Sequence, residues 1–323
     1  MSESPNREIT TMLLEFAKIY DVLGDVFKSK AYNAAAATIA KLTYKLTRAN
    51  LDQFLDDPCC KPRGIGKGIS SRIREFIETR KVVDLDKLKE SREYTAYTEF
   101  TRIIGVGPAT ARKWLSMGID NLLKLRQAVA NDRVELTHAQ KLGMVYYVDL
   151  NQRIPRPEVA TIGAKMRTYI NLLSRDNKFE IVGSYRRGAE SSGDVDCVFT
   201  TERFDPKIIT RLVDLLETDT NFIDVLSQGE QKITFLYRGK AVVRQVDIFY
   251  AQPSEYIPHI LYATGSAEHN EYVRGVAKQK GYRLNQIGLF KITRGNNMKK
   301  ITLHTERELY DILKIPYVEP KDR

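Results

Sequence analysis

The chain has 323 residues and a formal net charge of +10, from 51 lysines and arginines against 41 aspartates and glutamates. That length allows two or three domains, and the charge suits a phosphate-rich partner, although acidic proteins and membrane surfaces also attract basic chains. Three cysteines, Cys59 and Cys60 adjacent, make no disulfide framework, four scattered histidines lack zinc spacing, and no stretch approaches the roughly 18 apolar residues of a membrane span.

The opening Met-Ser-Glu-Ser-Pro-Asn-Arg has no signal-peptide core, so with unpaired cysteines a soluble, intracellular protein is expected. From Ile9 to about Tyr147 apolar residues recur at helical spacing, as in Met12, Leu13, Phe16, Ile19 and Tyr20, which predicts short helices. Within them a pattern repeats. Pro62-Arg-Gly-Ile-Gly-Lys67 and Ile103-Ile-Gly-Val-Gly-Pro108 each lead into an amphipathic helix. Glycines there permit a tight turn and bring backbone N–H groups at the next helix start toward a phosphate oxygen. Two copies favour a sequence-independent grip on a nucleic-acid backbone, assisted by Lys61, Arg63, Lys67, Arg72, Arg112 and Lys113, over glycine-capped helix packing alone.

Arg153-Ile-Pro-Arg-Pro157 marks a boundary, after which strands are predicted over Phe179–Val182, Val195–Thr200, Ile233–Tyr237 and Val242–Tyr250. Helices are expected around Pro157–Ser174 and Lys207–Leu216, and Tyr237-Arg-Gly-Lys240 reads as a hairpin turn. From about Ser254 a smaller mixed unit follows. The fold class is therefore multidomain, an all-α first half followed by α+β.

Asp194 and Asp196 flank Val195 at the edge of an apolar strand, and the strand period of two points both carboxylates to one face. Unpaired carboxylates there are costly unless a cation neutralises them, and Mg²⁺ takes one or two carboxylates plus substrate phosphates. Upstream, Gly183-Ser184 offers a hydroxyl and amides for a triphosphate. Asp247 sits alone in the strand Val242–Tyr250. If that strand lies beside the first, three acids can hold two cations, one activating a hydroxyl and one stabilising a leaving pyrophosphate, with Asp247 accepting the hydroxyl proton. The competing reading pairs Asp247 with Arg244 or another cation.

The run Gly183-Ser-Tyr-Arg-Arg-Gly-Ala-Glu-Ser-Ser-Gly-Asp-Val-Asp196 resembles the signature of the family X DNA polymerases, most nearly of the polymerase beta type. The paired hairpins, Arg153-Ile-Pro-Arg156, Leu226-Ser-Gln-Gly-Glu230, Leu261-Tyr-Ala-Thr-Gly-Ser266 and Glu319-Pro-Lys-Asp-Arg323 extend the resemblance over nearly the whole chain. It implies a helical lyase-type domain over 1–90 and a helical DNA-binding subdomain over 91–152, each with a helix-hairpin-helix. A nucleotidyltransferase palm over 153–253 and a nucleotide-selecting subdomain over 254–323 would follow. The implied activity is templated DNA synthesis that fills short gaps, of the base excision repair type, with two Mg²⁺ ions, on gapped or nicked double-stranded DNA and deoxynucleoside triphosphates. A monomer, a nuclear setting and a DNA ligase or repair scaffold as partner are expected on resemblance alone, which suits a viral source equally.

By the same resemblance Asp194, Asp196 and Asp247 are the metal ligands, and Arg153, Ser184, Arg187 and Gly193 hold the triphosphate. Tyr262 and Gly265 line the sugar pocket, Asn270 touches the base and Arg274 the template. Carbonyls of Thr101, Ile103 and Val106 resemble a Na⁺ or K⁺ site, and Gly64, Gly66, Gly105 and Gly107 shape the hairpins against DNA phosphate.

Departures from the family pattern carry their own expectations. Arg72 stands where a lysine forms the lyase Schiff base, and a guanidinium that stays protonated cannot do so. Lys67 is one residue out of register from a phosphate-binding lysine whose place Gly68 takes. Cys60 and Phe27 replace basic residues of the 5′-phosphate pocket, while Lys28 and Tyr32 remain. Deoxyribose-phosphate lyase activity is expected to be weak or lost. Ala263 replaces a phenylalanine of the closing movement, Gln245 and Phe249 replace arginines, and Ala267 replaces an acid, so altered closing and lower fidelity are expected. Two other functions compete. A template-independent nucleotidyltransferase is opposed by the lack of a long insertion before Asp247, and a non-catalytic gap-binding module by the three intact acids.

Overall fold

The computed structural model describes residues 5–56, 64–293 and 297–323. Cys59, Cys60, Lys61, Pro62 and Arg63 lie outside them. The chain divides into two compact units, Met1–Gln140 and Lys141–Arg323.

In the first unit, α1 (Arg7–Val22), α2 (Val26–Ala40), α3 (Arg48–Asp56), α4 (Lys67–Thr79) and α5 (Val83–Lys89) enclose a core that includes Leu13, Phe16, Tyr32, Ile39, Leu55 and Ile73. The helical spacing in the sequence is the cause: Met12, Leu13, Phe16, Ile19 and Tyr20 fall on one stripe of α1 and all are buried. Next come α6 (Arg92–Phe100), α7 (Pro108–Ser116), α8 (Leu122–Ala130) and α9 (His138–Val145). Trp114 packs edge-on to Phe100 at 5.4 Å between ring centroids, which joins α7 to α6.

Both hairpins take one backbone form. Gly64 (φ +92°) and Gly105 (φ +77°) occupy the left-handed region that a Cβ disfavours, while Gly66 and Gly107 are extended residues capping α4 and α7 without a side-chain hydrogen bond. Each of those helices thus opens with backbone amides that no capping side chain covers.

The second unit begins within α9 and continues with α10 (Tyr147–Leu150) and β1 (Ile154–Pro155), then α11 (Arg156–Leu173), β2 (Asn177–Ile181), α12 (Gly183–Arg186), β3 (Ser191–Ser192) and β4 (Val195–Thr201). After α13 (Ile208–Leu216) come β5 (Phe222–Gln228), β6 (Lys232–Arg238) and β7 (Val243–Tyr250). A five-stranded sheet runs in the order β2-β4-β7-β6-β5. All its pairings are antiparallel except β4 with β7. The four expected strands and both expected helices are present, with ends shifted by a residue or two. β5 is an addition that sequence reading missed, because two register irregularities interrupt its alternation and its residues are only partly buried.

Strand parity sorts the side chains. Val195, Cys197 and Phe199 of β4 and Val246, Ile248 and Tyr250 of β7 join Val159, Ile162 and Met166 of α11 and Leu212 of α13 in one core. The opposite parity, Val198 and Phe249, meets Ile260 and Ala263 of α14 (Tyr256–Thr264). The chain ends with α15 (Ala267–Gln279), an antiparallel three-stranded sheet of β8 (Tyr282–Asn285), β9 (Gly288–Ile292) and β10 (Met298–Ile301), and α16 (Glu306–Leu313) around Val273, Leu289, Leu309 and Tyr310. The fold is thus helical in its first half, then α+β, with a small mixed closing part.

Candidate active site

Asp196 lies on the β4 face whose parity points to α14, and parallel pairing places it level with Asp247 of β7. Asp194 shares that parity just before β4 starts. Ligand oxygens of all three lie within 4.8 Å of one another. Burial, and then the neighbouring carboxylates, push the carboxyl of Asp194 up and that of Asp196 up to about 8, because neither water nor enough positive charge compensates them. The donor set is entirely carboxylate oxygen, which fits a hard divalent cation, and its arrival would favour the ionised form of all three acids.

Of the competing cation readings for Asp247, Arg244 is excluded, since that guanidinium pairs with Glu158 (3.0 Å). The cation that does meet Asp247 is Lys232 of β6, with Nζ 3.1 Å from Oδ2, and Gln245 Nε2 donates to Oδ1 at 3.4 Å. Lys232 Nζ also stands 4.6 Å from the centre of the Phe249 ring.

The turn into α12 is made by Gly183 at φ +61°, where a Cβ would lie 2.5 Å from Asp196 Oδ2. Only a glycine lets that backbone approach the acid so closely. Downstream, the Ser184 hydroxyl bonds that of Ser192 (2.8 Å), and Arg153 donates Nε to Ser191 Oγ (3.1 Å) and Nη2 to the Ser191 carbonyl. Gly193 faces Arg153 Nη1, which an added Cβ would meet at an ordinary contact distance of 3.6 Å. Arg186 and Arg187 pin the end of α14: Arg186 Nη1 donates to Thr264 Oγ1 (2.8 Å) and Arg187 Nη1 to the Thr264 carbonyl (2.5 Å). Arg186 also pairs with Glu306 at 2.6 Å, and Arg323 with the other oxygen of that carboxylate at 2.7 Å.

A cleft of about 550 Å³ opens between Asp196 and α15, lined by Phe249, Tyr262, Ala263, Gly265, Ala267, Asn270, Glu271 and Arg274. Asn270 Nδ2 donates to the Tyr262 carbonyl (2.8 Å), and the Arg274 guanidinium lies 5.2 Å from the Tyr262 ring centre. So Tyr262, Gly265, Asn270 and Arg274, singled out in sequence, share one space with Asp196, and the substituted positions Phe249, Ala263 and Ala267 line it too. His259 was missed. It is buried on α14 between Phe249 (5.3 Å) and Tyr262 (6.2 Å), its Nε2 has no hydrogen-bond partner, and burial pushes its imidazole down to about 4. No spacing rule marks such a residue, because only the packing of α14 on the sheet buries it.

In the first unit both terminal nitrogens of Arg72 are engaged, while its buried Nε has no hydrogen-bond partner. Nη1 donates to the Tyr32 hydroxyl (2.5 Å), Nη2 to Asp84 (2.8 Å), and the guanidinium lies 4.9 Å from the Phe16 ring centre. Lys28 pairs with Asp25 at 2.9 Å and stands over Tyr20, while Lys67 is exposed at the first turn of α4 and Phe27 is 83% exposed. In the second hairpin the Ile103 carbonyl already accepts the Val106 amide (3.0 Å), and Thr101 caps α6.

Known proteins with these features are consistent with one another. Residues 4–82 match the helix-hairpin-helix domain, 98–151 the fingers domain of DNA polymerase lambda, 153–255 the DNA polymerase beta palm and 259–323 the DNA polymerase beta thumb. The chain is 30% identical to DNA polymerase lambda of Arabidopsis thaliana, over 98% of its own length and 62% of that protein, and 29% identical to DNA polymerase lambda of Rattus norvegicus, over 98% and 56%. With DNA nucleotidylexotransferase of Xenopus laevis it shares 23% identity over 95% and 68%. The chain therefore spans about three fifths of the length of the lambda relatives. An acidic cluster on a β4–β7 pair, a glycine turn against it and four successive matching segments place the chain in the family X DNA polymerases, close to the beta and lambda members.

Proposed function

We propose that the chain is a DNA-templated DNA polymerase that fills short gaps in repair, joining a primer 3′-hydroxyl to a deoxynucleoside triphosphate. The observation that carries this is the convergence of three carboxylates, with one lysine among them, beside a cleft of nucleotide size. Bound divalent cations, two Mg²⁺ in this reading, supply activation of the primer hydroxyl and stabilisation of the leaving pyrophosphate. The chain's own groups do the rest. Asp194, Asp196 and Asp247 would hold the cations, and Asp247 would take the hydroxyl proton. Ser184, Arg153, Arg187 and Gly193 receive the triphosphate, the side chains of the first three already oriented by Ser192, Ser191 and Thr264 in turn. Tyr262 and Gly265 form the sugar pocket. Asn270 swings off the Tyr262 carbonyl to reach the base edge, and Arg274 leaves the Tyr262 ring for the template strand.

In this reading residues 1–90 are a lyase-type domain, 91–152 grip DNA, 153–253 are the palm and 254–323 select the nucleotide. Gly64, Gly66, Gly105 and Gly107 present helix-start amides to DNA phosphates, and carbonyls of Thr101, Ile103 and Val106 hold a Na⁺ or K⁺ there. Lyase activity is weak or lost, since Arg72 is a guanidinium already committed to Tyr32 and Asp84. Nuclear placement, a monomeric state and association with a ligase or scaffold belong to the same reading, and among the described residues no helix is long and apolar enough to cross a membrane.

The test is a one-nucleotide gapped duplex carrying a 5′-deoxyribose phosphate, with Mg²⁺ and borohydride in a parallel reaction. Filling opposite the template without a trapped adduct is expected. The nucleotidylexotransferase relative makes template-independent addition the second reading. The tight β6–β7 turn, closed by Gly239 N–H to the Val242 carbonyl at 2.9 Å, holds no insertion to stand in for a template. Extension of a single-stranded primer would favour that alternative, and binding without synthesis would favour a gap-binding module.

A further inference from the structure

Among the described residues, Lys232 is the one lysine or arginine within ion-pair reach of the three acids, and nothing in the repertoire above uses it. Its placement follows from register. Lys232 opens β6 directly opposite Phe249, and Thr234, two residues on, is opposite Asp247, so the lysine sits one diagonal step from the acid on the same face. Its side chain is 43% exposed whereas that of Asp247 is 10% exposed. The stem therefore reaches in from solvent, laying its ammonium on Asp247 Oδ2 and against the Phe249 ring. Gln245 takes the other oxygen. Both oxygens of Asp247 are thus engaged by the chain itself, and the ammonium on Oδ2 opposes by its charge any cation arriving at the same carboxylate.

We propose that Lys232 is a resident counter-ion of the acidic cluster, which holds Asp247 while no divalent cation is bound and competes with the cation that binds there. This rests on the reading of the triad as a cation site. Three carboxylates carry more negative charge than one ammonium offsets, so a dication wins. A lysine with an exposed, flexible stem can withdraw to water while Phe249 remains in place. Gln245 alone, being neutral, holds the acid without opposing the dication.

The experiment measures Mn²⁺ binding to the full chain, without DNA or nucleotide, by electron paramagnetic resonance of the free ion, alongside the melting temperature with and without Mn²⁺. Asp196→Asn comes first: loss of Mn²⁺ binding establishes the site, and binding unchanged by it would remove the site reading and this proposal together. Given the site, Lys232→Met is expected to bind Mn²⁺ about tenfold more tightly, on the order of one ion pair at partial burial. Its metal-free melting temperature should fall, and Lys232→Arg should stay near the parent in both measurements. In an Asp247→Asn background the effect of Lys232→Met on Mn²⁺ should disappear. Equal or weaker Mn²⁺ binding by a folded Lys232→Met, or by Lys232→Gln if the methionine variant does not fold, would overturn the proposal. A purely structural lysine would lower stability without tightening the metal.

Discussion

The Arg72 cluster of the first unit and the aspartate cluster of the second are both concentrations of charge, and they balance it in opposite ways. Arg72 meets a hydroxyl, a carboxylate and an aromatic face, so its charge is answered locally. The three aspartates have one lysine between them. A balanced cluster has no electrostatic need for a ligand, whereas one left with excess charge is stabilised by whatever neutralises it. In the proposed reading, the contrast separates a position where a resembling sequence has lost its chemistry from one where the chemistry is retained.

Neutralising the second cluster should have the largest effect. Asp196→Asn or Asp247→Asn is expected to lower single-nucleotide gap filling by about a thousandfold or more, given the several kcal/mol that metal-assisted charge stabilisation supplies; single-turnover rates would check it. A rate within tenfold of the parent would break the comparison at its root.

Next in size is acid sensitivity near the cleft. His259 is neutral in the folded chain because burial holds its imidazole down to about 4, against an ordinary 6.5. The unfolded chain takes up a proton first, so the stability from this residue is fully present above pH 6.5 and is lost as pH falls toward 4, by roughly 3 kcal/mol. Denaturant midpoints across pH 4 to 7 should therefore show the parent losing stability relative to His259→Leu as pH falls, and equal slopes for the two would contradict this.

A smaller loss is expected of Gly183→Ala. The left-handed φ and the 2.5 Å approach of a Cβ to Asp196 Oδ2 together should cost about 2 kcal/mol in unfolding free energy and weaken Mn²⁺ binding by displacing that carboxylate. The smallest effect belongs to the balanced cluster. Arg72→Ala should destabilise by about 1 kcal/mol, since its ion pair with Asp84 is partly exposed and its tie to the buried Tyr32 is one hydrogen bond, and should leave gap filling unaffected. A gap-filling defect as deep as that of Asp196→Asn would erase the distinction between the two clusters.

Much of the site could be read before the structure was known. Asp194 and Asp196 were visible because an apolar strand with period two dictates which face they share, and Asp247 because an acid is out of place in such a strand. The parallel register that sets Asp196 level with Asp247 was not visible, because no local signal specifies pairing between strands far apart in the chain. Lys232 was hidden for a related reason: its place opposite Phe249 follows from counting back along both strands from the Tyr237–Lys240 turn, and so needs the whole hairpin register. β5 escaped because bulges break its alternation, and Ser191, Ser192 and Arg186 act through contacts that only the folded loop creates. The cleft residues around Tyr262 came from resemblance alone, since helix periodicity says nothing about which end of α14 meets a substrate.

The parallel pairing of β4 with β7 has a kinetic side. Between those strands lie α13, β5 and β6, and a parallel pair cannot be closed by a tight turn. β6 and β7 are joined by a short turn and close a small loop, whereas β4 meets β7 only after a long one has closed, at a chain-entropy cost that precedes any return in contacts. Until that pairing forms, Asp196 and Asp247 are far apart and do not repel each other. The acids are brought together by the least local strand contact of the sheet, so the chain acquires its affinity for a cation at the step where their mutual repulsion first appears.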